Sequence, residues 1–296
     1  MELSIPMSLR VSDIFNVQNY QVVITGGASG LGKILARGFV ANGCNVCIVD
    51  IDQEGVDATL SELKAIAEES NTSSQVTSVV GDLSSEVGLQ VIISSIKSKF
   101  SQLDVLVNCA GIRRVNAISY TPGESLSQLA AATGSSSYSD WESTFKINVL
   151  SPHFLTAGLV ELLGKASQKE FGRGNVICFS SVSSVHNGQY VPSYQTSKAS
   201  VDHLVRIMAA EFSDKYIRVN AISPGLFPSK MNPMDISIPE SNMRYAREMP
   251  ARRPGTEQEL VSAAIFLASN KYVDGRIIRI DGGRLLVCKG NISQDD

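Results

Sequence analysis

The sequence predicts an α/β fold: one doubly wound, seven-stranded parallel sheet with helices on both faces. Three observations predict it. Short apolar runs alternate with segments of helical period along almost the whole chain, which is the rhythm of βαβ units. The first of these, Gln21–Thr25, is an apolar run rather than an alternating one, the form of a buried parallel strand. A glycine-rich turn follows the first run and opens the first helix.

The elements follow in order. Gln21–Thr25 is an apolar run bounded by Gly26 and Gly27 and reads as a buried strand. Leu31–Val40 has apolar residues at helical spacing and stops at the turn signal Asn42-Gly43. Asn45–Val49 is the second strand and ends at Asp50; a helix covers about Gln53–Glu69, and Val76–Val80 is the third strand. Ser84 and Ser85 can cap a helix that runs to about Phe100, with Glu86 near its start suited to the helix dipole. Val105–Val107 is the fourth strand, and Asn108-Cys109-Ala110-Gly111 after it is turn-like. Trp141–Leu163 is a long helix, Asn175–Phe179 the fifth strand, Ser193–Phe212 a helix, Arg218–Ile222 the sixth strand and Ile277–Ile280 the seventh. Connections of this length are right-handed crossovers. No linker interrupts the series, so residues 1–296 are expected to form a single domain with its core over about 16–283 and short extensions at each end.

Two segments break the rhythm. Residues 113–139 are rich in Ser, Thr and Gly and read as a loop, and residues 226–254 form a long excursion with five prolines, Pro228, Pro233, Pro239, Pro250 and Pro254. Loops this long inside a compact domain are usually functional or mobile.

Composition narrows the function. Of 296 residues 43% are hydrophobic and 19% charged, an ordinary globular balance. The formal net charge is −3, from 26 basic and 29 acidic residues, so there is no basic excess to grip nucleic acid or an anionic membrane. No apolar run reads as long enough to span a bilayer. The start lacks the basic region and apolar stretch of a secretory signal. Five cysteines do not suggest a disulfide framework. Cys44 and Cys47 form a C-x-x-C spacing, but on a strand positions three apart face opposite ways, so two packed thiols are expected rather than a redox or metal pair. A cytoplasmic, reducing location follows as the default.

The turn after the first strand carries Gly26, Gly30 and Gly32 in the spacing G-x-x-x-G-x-G, with Ser29 and Leu31 between them. In a Rossmann fold such glycines allow the tight turn, the close approach of a pyrophosphate and the packing of helix on strand, and the helix N-terminus offers free N–H groups to the anion. A plain glycine turn is the alternative; the strand–turn–helix context favours the dinucleotide site. Asp50 ends the second strand, where an acid can accept bonds from the adenosine ribose hydroxyls of NAD and would repel the 2′-phosphate of NADP. No basic residue offsets it at Ala28, Ser29 or Ile51. NAD is therefore the first expectation and NADP the second; a solvated turn acid is the alternative reading of Asp50.

Tyr194 and Lys198 form Y-x-x-x-K on a predicted helix, one turn apart on one face. Ser181 lies at the carboxyl end of the fifth strand, the edge where open parallel sheets place ligands. Taken with the glycine loop, these residues resemble the short-chain dehydrogenase/reductase family. Asp82-Leu83, Asn108 to Gly111, Asn148, Ser181, Tyr194, Lys198, Pro224-Gly225 and Asp281-Gly-Gly283 fall in family order over about Asn16 to Gly283. Cys109 departs from the usual Asn-Asn-Ala-Gly, and Ser229 replaces the usual threonine after Pro-Gly while keeping its hydroxyl. Within the family the chain looks most like the β-ketoacyl reductases named after rhamnolipid synthesis; those favour NADPH, and Asp50 departs from them.

The resemblance implies roles. Asp82 and Leu83 frame the adenine, Asn108, Ala110 and Gly111 lie along the cofactor, and Pro224, Gly225, Leu226 and Ser229 contact the nicotinamide. Tyr194 is the acid/base, its phenolate favoured by the positive charge of Lys198. Ser181 hydrogen-bonds the substrate oxygen, Lys198 also holds the nicotinamide ribose, and Asn148 holds a water that relays the proton. The substrate is a small carbonyl or alcohol compound, no metal is required, and a homodimer or homotetramer formed through helices Trp141–Leu163 and Ser193–Phe212 is expected. His186, Asn187 and Gln189 are expected to edge the substrate pocket, while His153 reads as a packed or surface histidine and Trp141 as structural. A non-redox enzyme such as a cyclase or dehydratase that retains the cofactor, or a binding protein with a dead site, are the competing readings. An intact Asn148–Ser181–Tyr194–Lys198 set favours hydride transfer between a secondary alcohol and a ketone.

Overall fold

A computed structural model of the chain describes residues 8–116, 118, 120–186, 191–238 and 241–287. After a short turn of helix α1 (Val11–Ile14), the elements run β1 (Gln21–Thr25), α2 (Gly30–Ala41), β2 (Asn45–Asp50), α3 (Gln53–Glu69), β3 (Val76–Val80), α4 (Glu86–Lys99) and β4 (Val105–Asn108). The second half has α5 (Leu126–Thr133), α6 (Tyr138–Phe145), a π-helical turn Lys146–Leu150, α7 (Ser151–Lys169), β5 (Asn175–Phe179), α8 (Pro192–Phe212), β6 (Arg218–Pro224), α9 (Glu257–Ser269), β7 (Ile277–Ile280) and α10 (Arg284–Val287). The seven strands form one sheet in the order β3-β2-β1-β4-β5-β6-β7, and every pairing is parallel. The sheet and its covering helices are the Rossmann arrangement that the sequence predicts.

Strand alternation divides the core into two layers. Val22, Ile24, Val46, Ile48, Val105 and Val107 face α2, α3 and α9, where Leu35, Phe39, Leu63, Leu260 and Leu267 meet them. Val23, Cys47, Leu106, Val176 and Cys178 face the other way, onto Ile92 and Ile96 of α4, Leu155 and Leu159 of α7 and Val205 of α8. Cys44 belongs to the first layer and Cys47 to the second, so the C-x-x-C pair is split across the sheet. Burial pushes both thiols up, away from thiolate reactivity.

Three sequence expectations need correction. Residues 113–139 are not all loop: Leu126–Thr133 is helical, with a capping box in which Ser125 and Gln128 satisfy each other's backbone N–H. The helix expected over Trp141–Leu163 starts at Tyr138, runs to Lys169 and is interrupted by the π-helical turn. By length and composition that Tyr138–Lys169 run could cross a membrane, which the reading of apolar runs did not anticipate. Here its apolar face packs on the sheet, with Leu155, Leu159 and Leu163 fully buried, as in the core helix of a globular domain.

The strand order reverses between β1 and β4, the neighbours that flank the first crossover. Loops from adjacent strands diverge there and leave a crevice at the carboxyl edge. Thr25 Oγ1 at the end of β1 accepts the N–H groups of Cys109 and Ala110, each at 3.1 Å, and so ties the β4 turn to the glycine loop.

Candidate active site

The glycine loop forms one wall of a cleft of about 270 Å³ at this edge. Gly26 has φ +67°, and a Cβ on it would stand 3.0 Å from Ala110 Cα. A Cβ on Gly32 would stand 2.2 Å from the carbonyl oxygen of Gly26. Neither position accepts a side chain without moving backbone. Ser29 is the N-cap of α2, yet its side chain makes no capping bond. In α3, α4, α5, α6 and α9 the cap residue's side chain accepts a first-turn N–H. The α2 N-terminus therefore presents uncapped N–H groups and its positive dipole end to the cleft, a ready anion site.

Across the cleft, Ser181 ends the β5 turn with its Oγ accepting the N–H of Ser183 at 3.1 Å. Tyr194 and Lys198 come from the first two turns of α8. Lys198 is 4% exposed. Its Nζ donates to the carbonyl of Phe179 at 2.7 Å and lies 5.6 Å from the centre of the Tyr194 ring. The ammonium is thus held between a strand carbonyl and the phenol ring.

Asn148 lies within the π-helical turn and is 1% exposed. Its Oδ1 accepts the N–H of Ile112 and its Nδ2 donates to the Ile112 carbonyl, both at 2.9 Å. Nδ2 also donates to Ser197 Oγ at 3.0 Å, and Ser197 Oγ donates on to the Tyr194 carbonyl at 2.7 Å. One amide thus clamps the β4 loop to the helix that carries Tyr194 and Lys198. π-Turns are frequent at functional sites because the extra residue re-aims a side chain that a regular helix would place elsewhere.

Gly26, Ser29, Gly30, Leu31, Gly32, Ala110, Gly111, Ser181, Tyr194, Lys198, Pro224, Gly225, Leu226 and Ser229 all line this cleft. Other expected site residues lie off it. Asp50 and Ile51 stand at the end of β2 beside the glycine loop, where Asp50 accepts the N–H of Ala28 at 3.0 Å. Asp82 holds its own turn through Ser84, and Leu83 lines a separate groove between α4 and α7. Asn108 points behind the cleft, where its Nδ2 donates to Thr156 Oγ1 at 3.2 Å, because the pleat aims its side chain at α7 rather than at the edge. Of the expected rim, His186 is buried, and burial followed by the charge of Arg284 pushes its titration down. Asn187 and Gln189 lie outside the described residues. His153 is exposed against Phe154, and Trp141 stacks on Phe145.

The cleft residues missed from sequence include Arg113, Lys230, Asn242 and Arg284. Arg284 directly follows Asp281-Gly-Gly283, and that motif was the one available signal. Among the described residues no cluster of His, Cys, Asp and Glu could hold a metal ion.

The chain is similar to known proteins over nearly its whole length. The model of the family described as enoyl-(acyl carrier protein) reductase matches residues 26–284. The chain is 30% identical to the short-chain dehydrogenase/reductase PhomF′ of Diaporthe leptostromiformis, over 97% of this chain and 98% of that protein. It is 30% identical to the rhamnolipids biosynthesis 3-oxoacyl-[acyl-carrier-protein] reductase of Pseudomonas aeruginosa, over 91% and 97% of the two chains. The solved RhlG/NADP active-site complex from Pseudomonas aeruginosa superimposes with a TM-score of 0.78 at 29% identity, covering 91% of this chain and 98% of that one.

Proposed function

Because the chain belongs to the short-chain dehydrogenase/reductase family, we propose that it interconverts a secondary alcohol and a ketone, with Tyr194 as acid/base and NAD(H) as the preferred cofactor. The observation that carries this reading is the meeting of Ser181, Tyr194 and Lys198 with the glycine loop around one cleft, braced by Asn148. The cradle fits a dinucleotide: the loop has no room for side chains at Gly26 and Gly32, and the α2 N-terminus keeps its N–H groups for a diphosphate. When bound, the nicotinamide supplies or accepts the hydride.

The chain's own residues do the rest. Gly30 to Gly32 receive the diphosphate, and Asp50 takes the adenosine ribose hydroxyls. Pro224 to Ser229 flank the nicotinamide, and Lys198 holds its ribose. Ser181 hydrogen-bonds the substrate oxygen and stabilises charge that develops on it. Tyr194 gives its phenolic proton to that oxygen during reduction and takes it back during oxidation. Lys198, buried close by, stabilises the phenolate left behind. Asn148 fixes the spacing of these groups through Ile112 and Ser197. The exposed faces of α7 and α8 support a homodimer or homotetramer, and the free thiols Cys44, Cys47 and Cys178, all buried, suit a cytoplasmic setting.

A panel of ketones and secondary alcohols, followed at the reduced-nicotinamide absorbance with both cofactors, tests the reading. Tyr194→Phe keeps the ring and removes the proton donor, so turnover falls by two or more orders of magnitude, within the roughly 10²–10⁴ of general acid–base catalysis. Cofactor affinity changes little. Near-normal turnover in the purified variant removes Tyr194 from the chemistry, and product formed without net redox change identifies a non-redox enzyme instead.

A further inference from the structure

Two side-chain bonds from α8 straddle the turn that carries Ser181. On the β5 side, Lys198 Nζ donates to the carbonyl of Phe179 at 2.7 Å, just before Ser181 in the chain. On the far side, Gln195 Nε2 donates to the carbonyl of His186, just after the turn. The turn between them is stiff. Ser181 Oγ accepts the N–H of Ser183 at 3.1 Å, the Ser181 carbonyl accepts that of Ser184 at 2.9 Å, and the Val182 carbonyl accepts that of His186 at 3.0 Å. In a segment tied this closely, His186 and Ser181 shift together.

Gln195 directly follows Tyr194 and is half-buried. The two ends of its amide do different work. Oε1 accepts the N–H of Val191 at 2.9 Å, and the Gln195 N–H donates to the Val191 carbonyl at 3.0 Å. This reciprocal pair closes the first turn of α8, whose N-cap Val191 makes no side-chain capping bond of its own. Capping needs only an acceptor. Nε2 is surplus to it, and it leaves the helix to reach His186. Ser197 does the matching work on the other flank, between Asn148 and the Tyr194 carbonyl. Gln195 does not itself line the cleft, whereas Ser181, Tyr194 and Lys198 do.

Ser181 and Tyr194 come from different elements and must meet at one substrate oxygen. Neither the strand nor the helix sets that spacing alone, and a misplacement of about 1 Å can cost about a hundredfold in rate. We propose that Gln195 is a positioning residue: its amide is the strut that holds the Ser181 hydroxyl at working distance from the Tyr194 phenol, with Lys198 to Phe179 as the opposite strut. The inference rests on the dehydrogenase/reductase reading and adds to it a residue that touches neither substrate nor cofactor. Its rival is a plain helix cap, which uses Oε1 alone.

Two substitutions separate strut from cap. Gln195→Glu keeps the acceptor for Val191 and loses the donor to His186. Gln195→Lys keeps a donor of sufficient reach and loses the acceptor. With the best ketone from the substrate panel, kcat of Gln195→Glu falls by about ten- to a hundredfold, while KM changes little, because the Ser181 bond strengthens as charge develops on the oxygen. Gln195→Lys recovers most of that kcat although its Tm is the lower of the two. Cofactor affinity, read from reduced-nicotinamide fluorescence, is the same in all three proteins. Unchanged kcat in Gln195→Glu overturns the proposal and leaves the dehydrogenase reading intact. So does a kcat that follows Tm across the variants, which leaves Gln195 a helix cap, or a loss of cofactor affinity, which assigns it to the cofactor half. If no compound exchanges hydride with the unmodified protein, the redox reading fails and amide hydrogen exchange over residues 182–186 decides the strut. Faster exchange in Gln195→Glu but not in Gln195→Lys upholds it, and equal exchange in all three proteins overturns it.

Discussion

Asp50 does two things at the end of β2. One oxygen accepts the N–H of Ala28, and the other accepts those of Ile51 at 2.8 Å and Asp52 at 3.2 Å. The carboxylate is thereby pinned at the lip of the glycine loop. The basic residues of α2 are committed to Glu62: Lys33 at 2.6 Å and Arg37 at 3.1 Å. A ribose 2′-phosphate there meets a fixed negative charge and no cation from α2. NAD(H) is therefore expected to be preferred over NADP(H) by at least tenfold in kcat/KM, which needs only about 1.4 kcal/mol. Asp50→Ala with Ile51→Arg narrows or reverses the ratio, read as a ratio because leaving three backbone N–H groups without their carboxylate acceptor also costs stability. Equal efficiency with both cofactors in the unmodified protein defeats this assignment. His186 yields a pH prediction. Burial and Arg284 hold its folded pKa below the free value of 6.5, so between the two values the unfolded chain binds more protons. Its contribution to stability is present above pH 6.5 and is lost as pH falls through the folded pKa. The Tm of the unmodified protein then drops more steeply between pH 7 and 5 than that of His186→Gln. Equal slopes rule the residue out as a titrating brake. At this scale the sequence displayed Tyr194, Lys198 and Ser181 because their spacing is local and tied to strand ends. Arg284 and Arg113 stayed hidden because their orientation depends on packing between distant segments.

The central strands β1, β2, β4, β5 and β6 were legible because their burial is nearly uniform. The edge strands β3 and β7 are only partly buried and carry polar residues, and they were legible from their place in the βαβ rhythm. Helix α5 was obscured by its Ser-rich surroundings, although Ser125-x-x-Gln128 before an apolar run is a capping signature. The π-turn at Lys146–Leu150 has no sequence marker, since the bonds of Asn148 to Ile112 and Ser197 hold it open. The 226–254 segment has ends that meet: Gly255 N–H donates to the Leu226 carbonyl at 2.8 Å. Between them Leu226, Met243, Ala246 and Met249 form a small cluster of their own. Met234 and Ile236, by contrast, are 58% and 63% exposed. A closed loop with its own core and an apolar tip can move as one body, so it is expected to act as a lid over cofactor and substrate. Amide hydrogen exchange checks this. Protection within 226–254 rises on adding cofactor with a substrate analogue, while β1 and β4 stay unchanged. Identical protection with and without ligands excludes a lid.

At the scale of the whole molecule, one face outside the two core layers carries exposed apolar side chains. Helices α7 and α8 pack their inner sides onto the same layer of the sheet through Leu155, Leu159, Val201 and Val205. Their outer sides mix exposed charges, Glu161, Lys165, Arg206 and Glu211, with exposed apolar residues. Leu150 is 45% exposed, Phe154 53% and Ile207 45%. Leu150, Phe154 and Ala157 share a stripe on the π-turn and α7, and Ala199, His203 and Ile207 share one on α8, all exposed. Small residues beside large apolar ones let helices approach closely, and a second copy related by a two-fold axis would present the same stripes in return. The separate groove behind Leu150 and Phe154, walled by Leu89 and Ile93 of α4, extends this apolar surface toward the sheet edge. Sedimentation velocity at micromolar concentration is therefore expected to show a dimer or tetramer. Phe154→Glu with Ile207→Glu places like charges face to face across a two-fold contact and shifts the protein toward monomer. The monomer stays folded, because neither side chain enters the core. Tyr194 and Lys198 lie on the inner side of the same helix, so kcat falls modestly while cofactor affinity is retained. An unmodified protein that sediments as a monomer at these concentrations, or a double variant with an unchanged sedimentation coefficient, shows that these faces are solvent surface and not a subunit contact.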